Sequence, residues 1–165
     1  MYRIEALLSG RMFVSPQTYA DRILFLSNIS GHLSLYAMRF GGSVPEPLLP
    51  ANIALQNPHL IGGYSFYAFP GLKKILVMID QDGDENYLPM VIPLDGGFPE
   101  HVFDGFFKGT RCHLSECETD TGIFYISVES RTEQTSTGYR CNLANGEITK
   151  LATSEWGAYP GAHSK

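Results

Sequence analysis

The chain has 165 residues, of which 44% are hydrophobic and 18% are charged, with a formal net charge of -5. This composition is that of a folded domain with a substantial core, and it excludes an intrinsically disordered chain. The basic residues are scattered apart from Lys73 and Lys74, so no basic stripe is available to follow a phosphate backbone, which argues against a nucleic-acid partner.

The cysteines and the apolar runs indicate a cellular compartment. Three cysteines are present, Cys112, Cys117 and Cys141, and an odd, low number argues against a disulfide framework. Residues 1–10 include Glu5 and lack a long apolar core, and no apolar run reaches the ~18 residues of a membrane span. We therefore expect a reduced, cytoplasmic protein with neither a membrane partner nor a cofactor.

The first predicted unit occupies about residues 11–50. It contains four short stretches with strand character, at residues 11–15, 23–26, 33–40 and 44–49. The second stretch is apolar at every position, and because strand residues alternate between faces it should be covered on both sides. Pro16 is expected to end the first strand, and the prolines of the fourth suit only a sheet edge. These features predict a four-stranded antiparallel sheet.

The same plan is predicted twice more, over about residues 62–104 and 109–153. Strands of the second unit are predicted at residues 64–69, 73–79, 87–94 and 98–103. Strands of the third unit are predicted at residues 111–117, 122–128, 138–143 and 147–152, with a polar loop at residues 129–137. Residues 154–165 are predicted to begin a further unit.

The spacing of the three units indicates their architecture. Their doubly apolar strands begin at Ile23, Ile75 and Ile123, which are 52 and 48 residues apart. A repeat of about 50 residues with four short strands is typical of β-propeller blades. A β-sandwich also joins short strands by turns, but it does not predict a fixed period. We therefore expect an all-β fold, with residues 1–165 forming a partial propeller of three blades and the start of a fourth.

Three blades are too few to close a ring, because propellers typically have about four to eight. Three stacked blades would leave two apolar sheet faces exposed, a larger area than a soluble monomer usually shows. The chain is therefore expected either to be a fragment of a longer propeller or to complete a ring as a homo-oligomer.

Particular segments resemble a known family. The first blade of the prolyl oligopeptidase family, in particular of its bacterial acylaminoacyl-peptidase and dipeptidyl-peptidase-like members, resembles five segments: Val14–Pro16, Arg22–Asn28, Ser30–Gly31, Leu35–Met38 and Gly41–Gly42. Asp80–Tyr87 and Pro93–Gly97 are similar to the second blade of that family. The resemblance extends over nearly the whole chain and supports the propeller prediction.

The resemblance implies a non-catalytic role. The family pairs a propeller with an α/β-hydrolase domain that carries a Ser–Asp–His triad, and there the propeller restricts access to the active site and can bind substrate through its loops. This sequence contains no Gly-x-Ser-x-Gly elbow, so no catalytic residue is transferred to it. A peptide or protein partner is expected at the propeller loops. The alternatives are a free-standing interaction protein and, less favoured, an esterase-like enzyme.

Two patterns resemble metal sites without meeting their requirements. Asp80–Glu85 is rich in acidic residues, but the twelfth position of a calcium loop would be Val91, inside a predicted strand, so a solvated turn is expected. Cys112, His113 and Cys117 could suggest zinc, but the two cysteines are five positions apart and should point to opposite faces of a strand. Buried structural cysteines are expected instead.

Three further groups of residues have some features of a functional site. Ser15, His59 and Asp80 have the residue types of a triad but no activating neighbours. Packing between blades is favoured over a ligand pocket for a set of aromatic residues: Tyr64, Phe66, Tyr67, Phe69, Phe103, Phe106, Phe107 and Trp156. Glu129–Glu133, in the longest predicted loop, is the best candidate for a partner-facing segment, but a solvated hairpin loop is favoured over that role.

Overall fold

The computed structural model describes residues 10–59, 63–80, 83, 86–130 and 132–161. Helix in these ranges is confined to two short 3-10 turns, Pro70–Leu72 and Phe103–Gly105. The strands are β1 (Phe13–Tyr19), β2 (Arg22–Ser27), β3 (Ser34–Arg39), β4 (Glu46–Pro47), β5 (Ala54–Leu55), β6 (Phe66–Phe69), β7 (Lys74–Asp80), β8 (Tyr87–Pro93), β9 (Glu100–His101), β10 (Arg111–Glu118), β11 (Ile123–Glu129), β12 (Ser136–Asn142) and β13 (Glu147–Ser154). The predicted all-β class is confirmed.

The strands form three antiparallel sheets. Sheet 1 has the order β1-β2-β3-β4, and sheet 3 has the order β10-β11-β12-β13. In sheet 2, β5 and β6 both pair with β7, which is followed by β8 and β9. Within the described ranges these sheets do not close into a ring. The limits predicted for the individual blades stay predictions.

Sheet 2 lies between the other two, and strand β7 shows why its sequence is apolar throughout. Ile75 and Val77 pack in the core between sheets 1 and 2, whereas Leu76 and Met78 pack in the core between sheets 2 and 3. All four side chains are fully buried. The expectation that this strand is covered on both faces is therefore confirmed.

Strand β1 differs from its prediction. It continues through Pro16 to Tyr19, because the pairing with β2 shifts register between Val14 and Gln17. Ser15 has a φ of +53° at this bulge. A bulge leaves a backbone group unpaired, and a proline is tolerated there because it lacks a donor. The prediction that Pro16 ends the strand is wrong for this reason.

The inner edge of sheet 2 is split into two strands, and the sequence predicted only one of them. Gln56 N–H donates to Met78 O at 3.0 Å, and Met78 N–H donates to Ser65 O at 2.9 Å, so the chain leaves this edge at Gln56 and returns at Ser65. Strand β5 lies before that excursion and β6 after it. The two-residue strand β5 is too short to show a periodic pattern, so the sequence does not predict it.

Strand β10 carries a second bulge, between Leu114 and Glu116. The extra residue shifts the alternation of faces, so that Cys112 and Cys117 both lie in the core between sheets 2 and 3. The expectation that these cysteines point to opposite faces is therefore wrong.

The outer face of sheet 3 is polar, which differs from the expected apolar face. Alternation along β11 places Phe124 and Ile126 in the core and Tyr125 on the opposite side. There the Tyr125 hydroxyl donates to Glu118 Oε1 at 2.9 Å, and Arg140 is the cross-strand partner of Tyr125.

Candidate binding cleft on the third sheet

A cleft lies between the β11–β12 loop and the chain that follows β13. Its volume is about 290 Å³, and its lining consists of Glu129, Ser130, Gln134, Thr135, Ser136, Glu155, Trp156, Gly157 and Tyr159. An adjoining cavity of about 420 Å³ shares Gln134, Glu155 and Trp156 and adds Glu133. We call these two cavities together the β11–β12 cleft.

Hydrogen bonds to β12 hold one wall of the cleft. Ala158 N–H donates to Ser136 Oγ at 3.2 Å, and Ser127 Oγ lies 2.9 Å from Ser136 Oγ. A Cβ at Gly138 would lie 3.2 Å from Pro160 Cδ, so the glycine gives this segment room to approach the sheet. Residues 155–161 form no strand in the structure; that residues 154–165 begin a further unit stays a prediction.

The opposite wall is the β11–β12 loop, which is shorter than the sequence suggested. Glu129 is the last residue of β11 and Ser136 the first of β12, so the loop spans residues 130–135. Ser130 N–H donates to Thr135 O at 2.9 Å, and Glu133 N–H donates to Ser130 Oγ at 3.2 Å. These bonds close the loop on itself and leave Glu133 exposed. Arg131 lies outside the described residues.

The buried side chain of His113 contacts Glu129, the least exposed carboxylate of the cleft. His113 Nε2 lies 3.3 Å from Glu129 Oε1, and Arg111 Nη1 lies 4.0 Å from Glu129 Oε2. The pKa of His113 lies below its usual value of 6.5 because burial, the largest cause, disfavours the charged ring. Glu129 opposes this shift and Arg111 adds to it. The Tyr87 ring also faces His113, at 6.5 Å between centroids.

We expect the free energy of unfolding to fall as the pH falls below about 6.5, and His113→Gln to remove part of this dependence. The unfolded chain protonates its histidine near that pH, whereas the folded chain keeps His113 neutral to a lower pH. As the pH falls, the unfolded state therefore takes up the proton first. The stabilisation is fully present above a pH of about 6.5 and is lost as the pH falls towards the lower pKa of His113 in the folded chain.

Urea unfolding at about pH 7.5 and about pH 5.5 measures this difference for each variant. His101→Gln is the matched control, because it makes the same substitution at an exposed histidine on β9. If the original chain and His113→Gln show the same pH dependence of unfolding, His113 does not have a lowered pKa in the folded chain.

The candidate metal sites have separate outcomes. Most of Asp80–Glu85 lies outside the described residues, so the expected solvated turn stays a prediction. Cys112, Cys117 and Cys141 are buried free thiols. Burial raises the pKa of Cys112 and of Cys141 to about 12, and it also raises that of Cys117. In the part of the chain that the structure describes, no three His, Cys, Asp or Glu side chains are grouped as metal ligands.

The remaining candidates are dispersed through the fold. Ser15 lies in β1 of sheet 1, His59 follows β5, and Asp80 ends β7, so three separate elements carry the residue types of a triad. Most of the aromatic set packs within the sheets: Phe66 lies in the first core, and Phe69 and Phe107 lie in the second. Two members are exposed: Phe106 is 54% exposed, and Trp156 is 95% exposed at the β11–β12 cleft.

The sequence pointed to one wall of this cleft and missed the other. The 129–133 segment was identified from its loop composition, but Glu155 and Tyr159 were not singled out. Their position depends on how the chain folds back after β13, which no local pattern encodes. The available signal was Trp156, the single tryptophan of the chain, placed between Glu155 and Gly157 in a segment without strand periodicity.

Comparison with known proteins gives a structural match without a match in sequence. No family model and no curated protein matches the chain. A solved structure from work on two prolyl endopeptidases, concerned with inter-domain dynamics in catalysis and specificity, matches with a TM-score of 0.63 and 13% identity. The match covers 88% of this chain and 20% of that chain. The described residues contain no helix long and apolar enough to cross a bilayer. At this identity the likeness establishes a shared all-β fold.

Proposed function

We propose that this chain is a non-catalytic β-propeller portion of a prolyl-oligopeptidase-like serine peptidase, where it gates and selects peptides for a hydrolase domain. The observation that carries the proposal is the stack of three sheets, which is similar over 88% of this chain to a fifth of a prolyl endopeptidase chain. The absence of a Gly-x-Ser-x-Gly elbow from the sequence supports the non-catalytic part. The cleft formed by loops at one end of sheet 3 supports a role in contacting peptides.

Two assays test the two parts of this proposal. The purified chain is expected not to hydrolyse aminoacyl or peptidyl chromogenic substrates, and hydrolysis that a serine-directed inhibitor blocks would overturn the non-catalytic part. Short unstructured peptides are expected to bind the chain saturably, whereas a folded protein that contains the same segment should not. Equal binding of both forms, or no binding of either, would overturn the selecting role.

A second candidate is a free-standing interaction protein that completes a ring with copies of itself. The observation in its favour is the outer face of sheet 1, where Phe13 is 60% exposed beside the Phe25 ring, which in turn stacks on Tyr36. Light scattering over a range of concentrations tests it, because a defined oligomer is expected from this candidate and a monomer at every concentration would overturn it.

A further inference from the structure

The β11–β12 cleft carries three carboxylates, and among the described residues only Glu129 has a cationic neighbour, Arg111. Glu133 and Glu155 are exposed, and within the described residues neither forms an ion pair. Glu129 is the least exposed of the three, and His113 Nε2 lies 3.3 Å from its Oε1 on the same face of the sheet. None of the described residues that line the two cavities is a lysine or an arginine. The described part of the lining therefore presents the negative charges of Glu133 and Glu155 without a lysine or arginine beside them; Arg131, in the same loop, lies outside the described residues.

Aromatic rings stand beside these carboxylates. Trp156 is 95% exposed and borders both cavities, and Tyr159 is 67% exposed and borders the first. A tryptophan is usually well buried, because its large apolar surface gains free energy on leaving water. An exposed indole face attracts a cation electrostatically, and adjacent carboxylates can accept hydrogen bonds from the same cation.

We propose that the β11–β12 cleft binds the cationic side chain of a peptide, a guanidinium or an ammonium group, between the Trp156 ring and the carboxylates of Glu133 and Glu155. The two cavities, about 290 and 420 Å³, are close in size to small-ligand sites, so they can hold a side chain of a peptide but not a folded surface. This inference rests on the proposed function, because it names the peptide feature that the chain would select.

Trp156 itself supplies the measurement, because it is the single tryptophan of the chain. We would titrate the chain, following Trp156 fluorescence, with a capped peptide of glycines and serines around one arginine. The matched peptide carries citrulline, which has nearly the same shape without the charge. The arginine peptide should change the fluorescence saturably, and the citrulline peptide should bind about tenfold more weakly. Added salt should weaken the binding of the arginine peptide.

Charge-neutralising variants locate the site. Glu155→Gln and Glu133→Gln are each expected to weaken binding of the arginine peptide about three- to tenfold. Glu100→Gln is the matched control, because it removes the same charge from an exposed position on β9 in sheet 2. Circular dichroism confirms that each variant keeps its fold.

The outcomes separate this inference from the proposed function. Equal affinity for the arginine and citrulline peptides would overturn the cationic site while leaving peptide binding in place. Equal weakening in Glu155→Gln and Glu100→Gln would show that net charge, and not the cleft, attracts the peptide, which also overturns the site. No binding of either peptide at any concentration would overturn both proposals.

Discussion

Replacing Phe124 by alanine is expected to lower the free energy of unfolding by about 3–5 kcal/mol. Phe124 is fully buried on β11, in the core between sheets 2 and 3. Its ring stacks on Phe103 at 6.0 Å between centroids, with 29° between the ring planes. Alanine would remove the ring from this core and leave a cavity, because strands on both sides fix the spacing of the sheets.

Urea unfolding followed by circular dichroism measures this loss, and Phe98→Ala is its matched control. Phe98 is 79% exposed, so the same substitution there should change the free energy of unfolding by less than about 0.5 kcal/mol. A loss of less than about 1 kcal/mol for Phe124→Ala would contradict a tightly packed core between sheets 2 and 3.

The same burial between sheets explains why the main strands could be predicted from the sequence. A strand packed between two sheets needs apolar side chains on both faces, and that requirement leaves a continuous run such as residues 75–79. The runs that became β2, β7 and β11 were predicted within a residue or two of their observed limits. Burial on both faces is a strong physical constraint, and a short continuous run of apolar residues is enough to reveal it.

Features that depend on backbone geometry were not predictable in this way. The bulges at Ser15 in β1 and before Glu116 in β10 each shift a register. Pro16 at the first is compatible with a bulge and with the end of a strand, and the second has no distinctive local composition. The second bulge reversed the expected orientation of Cys117, because the parity of side chains holds only along an uninterrupted strand. An error of one residue is sufficient to exchange the two faces.

The site could be predicted only in part, for a similar reason. The loop wall of the cleft follows from local composition, but the interaction of His113 with Glu129 joins residues 16 positions apart across the β10–β11 pairing. The register pairs His113 with Ser127 and Arg111 with Glu129, which places Glu129 diagonally opposite the histidine. Knowledge of that register is needed before the pair can be recognised.

The second large effect on the free energy of unfolding is expected from a substitution in the Gly96–Gly97 turn, because this turn of sheet 2 packs directly against sheet 1. Gly96 has a φ of +89°, and a Cβ there would lie 2.9 Å from both Cα and O of Leu48, which are backbone atoms. The adjacent Gly97 N–H donates to Leu48 O at 3.0 Å, so the turn and the chain after β4 are in direct contact. Leu48 is itself buried in the core between these sheets.

Gly96→Ala is expected to lower the free energy of unfolding by about 2–5 kcal/mol, because it combines backbone strain at positive φ with a forced displacement of packed backbone. Gly41→Ala isolates the first contribution. Gly41 precedes a second glycine in the corresponding turn of sheet 1 and has a φ of +83°, but no atom lies within 4 Å of its added Cβ.

Gly41→Ala should therefore lose only about 1–2 kcal/mol, and the difference between the two variants measures the contact of the Gly96 turn with Leu48. Urea unfolding of both variants gives that difference directly. Equal losses of stability in the two variants would mean that the close contact of Gly96 with Leu48 does not contribute to stability. A larger loss at Gly96 would mean that the glycine pair, which the sequence repeats in both sheets, serves only as a turn in the first and also as a packing surface in the second.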